Sequence, residues 1–270
     1  MGELREGAAL YLRIIAARIR AQLQYRASFA LETVGMFFVT FLDFVVILII
    51  FANVPALAGW SRAEVALLYA ISALCFAFTD LVVGQLDWLS EWVRNGTFDG
   101  MLVRPRGTLF QVISSDFQIR RVGKIVQGLL VLVYALVALD IQWTPARALM
   151  LAAAIPVGTV IFISIWVLTI SIVFWTVDGR EAANAFTYGG SFLAQFPINL
   201  YDRWLRRFLG YIVPIAFVAY FPSLYILDKP DPLGLPSILQ FAAPVVAVVT
   251  AIAAGLVWRV AVRHYQSAGG

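Results

Sequence analysis

Residues 29–51 read FALETVGMFFVTFLDFVVILIIF, and this stretch decides the fold. It holds two charges, Glu32 and Asp43, in an otherwise apolar and aromatic run. A helix of about 20 residues rises about 30 Å, the thickness of bilayer hydrocarbon. Backbone groups in lipid must be satisfied inside the segment or in a closed barrel. An unbroken apolar run, rather than alternation over about 10 residues, selects the helix.

Similar runs recur along the chain. Residues 63–84 form a second span, and a third ends near Leu139 with an amphipathic, basic first part over 109–124. Residues 148–175 and 182–197 give the fourth and fifth, and 238–258 the last. Between the last two lies a different stretch. Residues 212–227 are apolar but hold Pro214 and Pro222. This is too short and too broken for a crossing and has the character of a re-entrant or interfacial segment. The expectation is an all-α polytopic membrane protein with six transmembrane helices. It forms one domain over residues 1–270. Residues 1–27 are an interfacial helix, 85–106 a polar loop, and 198–236 an outer re-entrant segment and loop.

Composition agrees with a membrane class. The chain is 61% hydrophobic and 13% charged, with a mean hydropathy of +0.85. Soluble domains carry about 25% charged residues. The net charge of +4 suits basic loops on an anionic membrane surface better than nucleic acid. One cysteine and one histidine make neither a disulfide nor a usual zinc site. Arginines run through the first 26 residues, so no signal-peptide apolar core is present there. Residues 8–25 instead place Ile15, Ile19 and Leu23 on one helical face and Arg13 and Arg20 on another, as interfacial helices do. About 14 of the 20 Lys and Arg fall at the N-terminus, the second-to-third loop, the fourth-to-fifth link and the C-terminus. The positive-inside rule therefore places both termini in the cytoplasm.

Several polar groups are candidates for function. In the second-to-third loop, Asp87 is expected to cap a short helix carrying Trp88, Leu89 and Trp92, ended by Asn95-Gly96. Buried aromatics anchor protein partners, and Arg94, Arg104 and Arg106 suit carboxylates around them. The same tryptophans and arginines also suit a membrane interface belt. Asp43, Glu32 and Asp80 are intramembrane carboxylates. Each costs at least about 2.5 kcal/mol in lipid and must face protein or water. Asp43 lies deepest, as a lining of a path or a subunit interface; Glu32 and Asp80 are placed to pair or snorkel near the interface. Asp178, Arg180 and Glu181 sit in a short link that is either a second partner contact or a solvated turn. Arg203, Trp204, Arg206 and Arg207 form a basic outer segment, either an interfacial anchor or a contact for phosphate or an anionic substrate. No Gly-x-x-x-x-Gly-Lys-Ser/Thr loop occurs, since Gly123-Lys124 is followed by Ile125.

The ordered parts resemble the type-2 ABC exporter permeases. The closer likeness is to a poorly characterised bacterial subfamily, carried by several segments. These are residues 96–105 (GTFDGMLVRP), 140–145 (DIQWTP), 174–176 (FWT), 184–190 (NAFTYGG), 203–207 (RWLRR) and 264–267 (HYQS). The resemblance spans nearly the whole chain. It implies a transport subunit in the bacterial inner membrane that is not an enzyme and binds no cofactor. Two copies of a separate ABC ATPase would carry ATP and magnesium. The loop helix at Trp88–Trp92 would couple to that ATPase, and a second permease chain, identical or related, would complete a path at a dimer interface. The alternatives are an ion-coupled carrier or channel that depends on Asp43, and an integral-membrane enzyme.

Overall fold

The computed structural model describes residues 2–176 and 179–266. Among them the chain forms helices and no strand; a single bridge pairs Leu57 with Trp60 in a turn. Five helical stretches are long and apolar enough to cross a membrane: Arg13–Asn53, Arg62–Arg94, Ile119–Ala138, Pro145–Thr176 and Ala243–Arg263.

The first stretch departs from expectation. Helix α1 (Gly2–Gln22) passes through one 3-10 turn at Leu23–Tyr25 into α2 (Arg26–Asn53). Gln22 keeps helical angles and only Tyr25 departs from them, so residues 13–53 run on as one 41-residue stretch. Such a stretch is about 60 Å long, twice the hydrocarbon thickness, and its first part must project beyond the bundle. There it clasps the chain. Arg18 donates to the Ser115 carbonyl at 2.7 Å, and the Gln22 amide accepts from the Ile119 N–H at 3.0 Å and donates to the Phe117 carbonyl. Residues 116–118 are not helical, so these bonds satisfy backbone groups left without intrahelical partners.

Helix α3 (Arg62–Val83) starts at a capping box, with the Ser61 side chain on the Glu64 N–H and the Glu64 carboxylate on the Ser61 N–H. It is the centre of the bundle: 72% of its apolar window is buried, against 11% for the first stretch. After the loop helices α4 (Leu89–Arg94), α5 (Asp99–Leu102) and α6 (Thr108–Ser115), helix α7 (Val122–Ala138) returns along α3. Helix α8 (Pro145–Ile170) begins at an N-cap made by Thr144, with Pro145 in the first turn, and packs on α3 from another side. A short α9 (Val173–Thr176) follows it.

Hydrophobicity does not draw helices together in lipid, so close packing and polar contacts must. Across the α3–α8 seam, Thr79 donates to the Thr159 carbonyl at 3.2 Å and Cys75 lies 3.5 Å from the Ile155 carbonyl. Gly158 permits this approach, since a Cβ there would meet Cys75 Sγ at 2.6 Å.

The helix at the expected fifth span is short and is not among the five stretches long and apolar enough to cross a membrane. Helix α10 (Arg180–Leu193) has 14 residues, about 21 Å. Non-helical residues and a 3-10 turn at Ile198–Leu200 follow it. Tyr188 bonds Asp87 at 2.8 Å near one end of the bundle, and Asn199 donates to the Ala58 carbonyl at 2.9 Å at the other.

The broken segment then dips and returns. Helix α11 (Arg203–Arg207) runs into a π-turn at Phe208–Ile212, and Pro214 sets the following chain, including α12 (Tyr220–Ile226), at 69° to it. Asn199 enters beside Ala58, while Lys229 leaves beside Gly59, donating to its carbonyl at 2.8 Å. Between them Val218 reaches Gly158 in α8. Both ends of the segment therefore lie at the same end of the bundle, and it is re-entrant. Lys229 also pairs with Glu64 at 2.8 Å, and Arg147 with Asp228 at 2.9 Å. Helix α13 (Ala243–Arg263) crosses last against α8, and Tyr265 packs on Phe98 at the end that α1 clasps.

Candidate functional site: the loop elbow and the charged seam

The elbow is a continuation of α3. Past Val83 the chain tightens into a 3-10 turn at Gly84–Trp88 and resumes as α4. Gly96, at φ +73°, ends α4 in the left-handed conformation that glycine tolerates. Leu86, Leu89, Val93, Phe98 and Met101 are buried in a cluster shared with Trp166, Phe174 and Trp258 from α8, α9 and α13. The Phe98 ring lies 5.0 Å from Phe174 and 5.1 Å from Tyr265, and Phe174 lies 5.2 Å from Trp258. Such aromatic pairs contribute about 0.5–1.5 kcal/mol each beyond area burial. The Trp258 indole N–H donates to Thr108 at 3.1 Å. The Gln111 amide donates to the Met101 and Arg106 carbonyls at 2.8 and 2.7 Å. The elbow is thereby packed onto three helices.

The side chains singled out in the sequence divide on this scaffold. Leu89 is fully buried and belongs to the cluster. Trp92 packs against the cluster, half-buried, whereas Trp88 is 49% exposed. Trp88 is the last residue of the 3-10 turn and the N-cap of α4, and Trp92 lies one turn further along α4. Asp87 does not cap α4. Trp88 holds the N-cap position without a side-chain bond, and Asp87 accepts from the Tyr188 hydroxyl instead. Arg94 pairs with Glu91 one turn back on an exposed surface. Arg104 and Arg106 are exposed, make no ion pair among the described residues, and line a groove of about 500 Å³ between α1 and the elbow. Leu102 and Val103, within the segment 96–105, are 43% and 85% exposed on the same loop, and no periodicity marks them as contacts. A four-residue helix is too short to show a period.

Inside the bundle, polar groups line a seam between α2, α3 and α7. Asp80 is 2% exposed and meets Arg121 Nε at 3.4 Å and Lys124 Nζ at 2.7 Å. Arg121 also donates to the Asp80 carbonyl at 2.6 Å. Its guanidinium fits because residue 84 is glycine: a Cβ there would lie 2.3 Å from Nη1. Two cations against one carboxylate leave a surplus positive charge, and Asp43 lies within Coulombic reach of Lys124. Deeper along the seam, the Gln127 amide donates to the Tyr69 hydroxyl at 3.1 Å, which donates to the Thr40 carbonyl at 3.0 Å. The sequence did not single out Arg121, Lys124, Tyr69 or Gln127. Glu32 pairs with Arg120 at 3.1 Å, half open to the outside.

Asp43 is exposed on α2, whose only buried side chains are Phe44 and Ile47. Arg180 and Glu181 pair loosely at 3.7 Å on an exposed surface, while Asp178 lies outside the described residues. At the far end, Arg203, Trp204 and Arg207 are exposed, Arg206 is half-buried, and the three arginines line a cavity of about 450 Å³. Among the described residues no three His, Cys, Asp or Glu side chains are grouped to hold a metal ion. The arrangement is one of positioned charges and locked helices, suited to transmitting movement.

The family model described as ABC-2 family transporter protein matches residues 37–269, from within α2 to the end of the chain. Neither the curated proteins nor the solved structures give a match. The chain thus belongs to the ABC-2 transporter family and is a multi-pass membrane protein of the ABC transporter permease type.

Proposed function

We propose that this chain is the membrane subunit of an ATP-driven exporter in the bacterial inner membrane, with both termini in the cytoplasm. Two copies of a separate ATPase, holding ATP and magnesium, seat against the elbow. The observation that carries this reading is the elbow's construction: apolar Trp88, Leu102 and Val103 are exposed beside the free cations Arg104 and Arg106, on a base locked to α8, α9 and α13. Exposed aromatic and aliphatic anchors ringed by arginine suit a protein groove with acidic edges. Because packed helices move as units, closure of the ATPase pair shifts the elbow and those helices together.

A second permease chain, identical or related, covers α2. An Asp43 carboxylate facing lipid would cost at least about 2.5 kcal/mol, and a partner or a water-filled path beside it removes that cost. The substrate path then runs between two chains, past Asp43. Reconstituted vesicles test the proposal: export should require ATP inside the compartment of the elbow and stop with a hydrolysis-dead ATPase.

The charged seam supports a second reading, an ion-coupled carrier, since Lys124 pairs with buried Asp80 and also lies within Coulombic reach of Asp43 on the exposed face of α2. That reading requires transport driven by an ion gradient without nucleotide, and its loss on Asp43→Asn.

A further inference from the structure

The re-entrant segment carries a basic cavity far from the elbow. Arg203, Arg206 and Arg207 line the 450 Å³ space together with the apolar side chains of Phe217, Leu235 and Leu239. The remaining cations of the neighbouring loops are differently treated. Arg147 pairs with Asp228, and Lys229 with Glu64. The three cavity arginines make no ion pair among the described residues. The Arg206 Nε is sealed from solvent and has no hydrogen-bond partner. Asp231, next to the lining residue Pro232, commits one oxygen to the Tyr220 hydroxyl at 2.7 Å and the Leu233 N–H at 3.0 Å; its other oxygen has no partner. Neither Asp231 nor Asp202, which precedes Arg203, forms an ion pair with these arginines among the described residues.

A buried donor without a partner costs about 1–3 kcal/mol, more for a charged group. Three guanidinium groups around one space also repel each other. An anion removes both costs, and guanidinium forks match the oxygens of phosphate in pairs. The apolar part of the lining accepts hydrocarbon. We propose that this cavity binds an amphiphile with a phosphate-class anionic head, the head on Arg203, Arg206 and Arg207 and its apolar body against Phe217, Leu235 and Leu239. The proposal does not depend on ATP coupling.

The test uses the full chain in detergent, titrated with dioctanoyl phosphatidic acid, dioctanoyl phosphatidylcholine or inorganic phosphate, with bound species counted by native mass spectrometry. Phosphatidic acid should bind once per chain, and Arg206→Gln with Arg207→Gln should weaken it at least tenfold. Arg206→Lys with Arg207→Lys should keep most of the binding, and size-exclusion profiles of all variants should match the parent. Leu235→Gln should weaken the lipid several-fold while leaving any binding of phosphate unchanged. Displacement of the lipid by millimolar phosphate marks a site set by the anion; its persistence marks a site that also needs the acyl chains. Equal binding of phosphatidylcholine, or unchanged binding in the double glutamine variant, would overturn the proposal. Phosphate binding as tight as the lipid, with no effect of Leu235→Gln, would overturn its amphiphile part.

Discussion

Asp80 and Arg121 are joined twice: carboxylate to guanidinium at 3.4 Å, and backbone carbonyl to guanidinium at 2.6 Å. Both side chains are more than nine-tenths buried. The pair ties the lower end of α3, where the elbow begins, to the start of α7.

Removing the acid should therefore cost more than a surface ion pair would. Asp80→Ala leaves the buried Arg121 without its counter-charge, and breaking one side of such a pair costs about 3–5 kcal/mol. Thermal unfolding of the purified chain should show a drop of several degrees. A midpoint within one degree of the parent would count against the pairing.

Gly84 is predicted to act through the same pair. A Cβ at position 84 would lie 2.2 Å from Asp80 Oδ1 and 2.3 Å from Arg121 Nη1. Gly84→Ala should destabilise by about 1–3 kcal/mol, the range for overpacking. Combined with Asp80→Ala it should cost clearly less than the sum, because both act on one contact. Strict additivity in a double-mutant cycle would contradict this.

The re-entrant segment predicts a labelling pattern. Leu200 and Asp228 flank it, are exposed, and lie near the contacts of residues 199 and 229 with Ala58 and Gly59. Cysteines at Leu200 and Asp228 should react with an impermeant maleimide from one side of the membrane, and a cysteine at Gln266 from the other. The native Cys75 is fully buried and gives little background. Labelling of Leu200→Cys and Asp228→Cys from opposite sides would make the segment a crossing.

A partner chain on α2 is open to cross-linking. Val39, Leu42 and Val46 are exposed at 62%, 62% and 46% on the helix that carries Asp43. At least one cysteine among these positions should give an oxidant-dependent cross-link, to a second copy or to a co-expressed related chain. Asp43→Arg should abolish it. No cross-link at any of the three would place the pairing surface elsewhere.

The spans were legible because each is a local property: enough apolar residues in a row to satisfy a bilayer. Asn95-Gly96 likewise announced the end of α4, since a left-handed turn asks for glycine. What escaped was tertiary. Asp80 is a polar residue near a helix end until Arg121 and Lys124, some 40 positions away, are folded against it. Asp87 read as the cap of the loop helix, but it turns to the Tyr188 hydroxyl, 101 positions away, and Trp88 takes the N-cap position. Helix α10 ends at Leu193, so the last residues of the expected fifth span, 194–197, lie outside helical geometry. The arginines of the outer segment were visible, but the cavity they share exists only once Pro214 bends the chain back.

The central claim is that a separate ATPase grips the elbow at Trp88, Val103 and their neighbours. The most direct measurement is recovery of a co-expressed ATPase on the affinity-purified chain, parent against Trp88→Ala with Val103→Ser, and against Trp88→Ala with Trp92→Ala. Trp88 and Val103 are exposed and add little to the core, so their double variant should keep its unfolding midpoint while the bound ATPase falls at least tenfold. An undiminished ATPase in both variants, each still folded, would contradict the account.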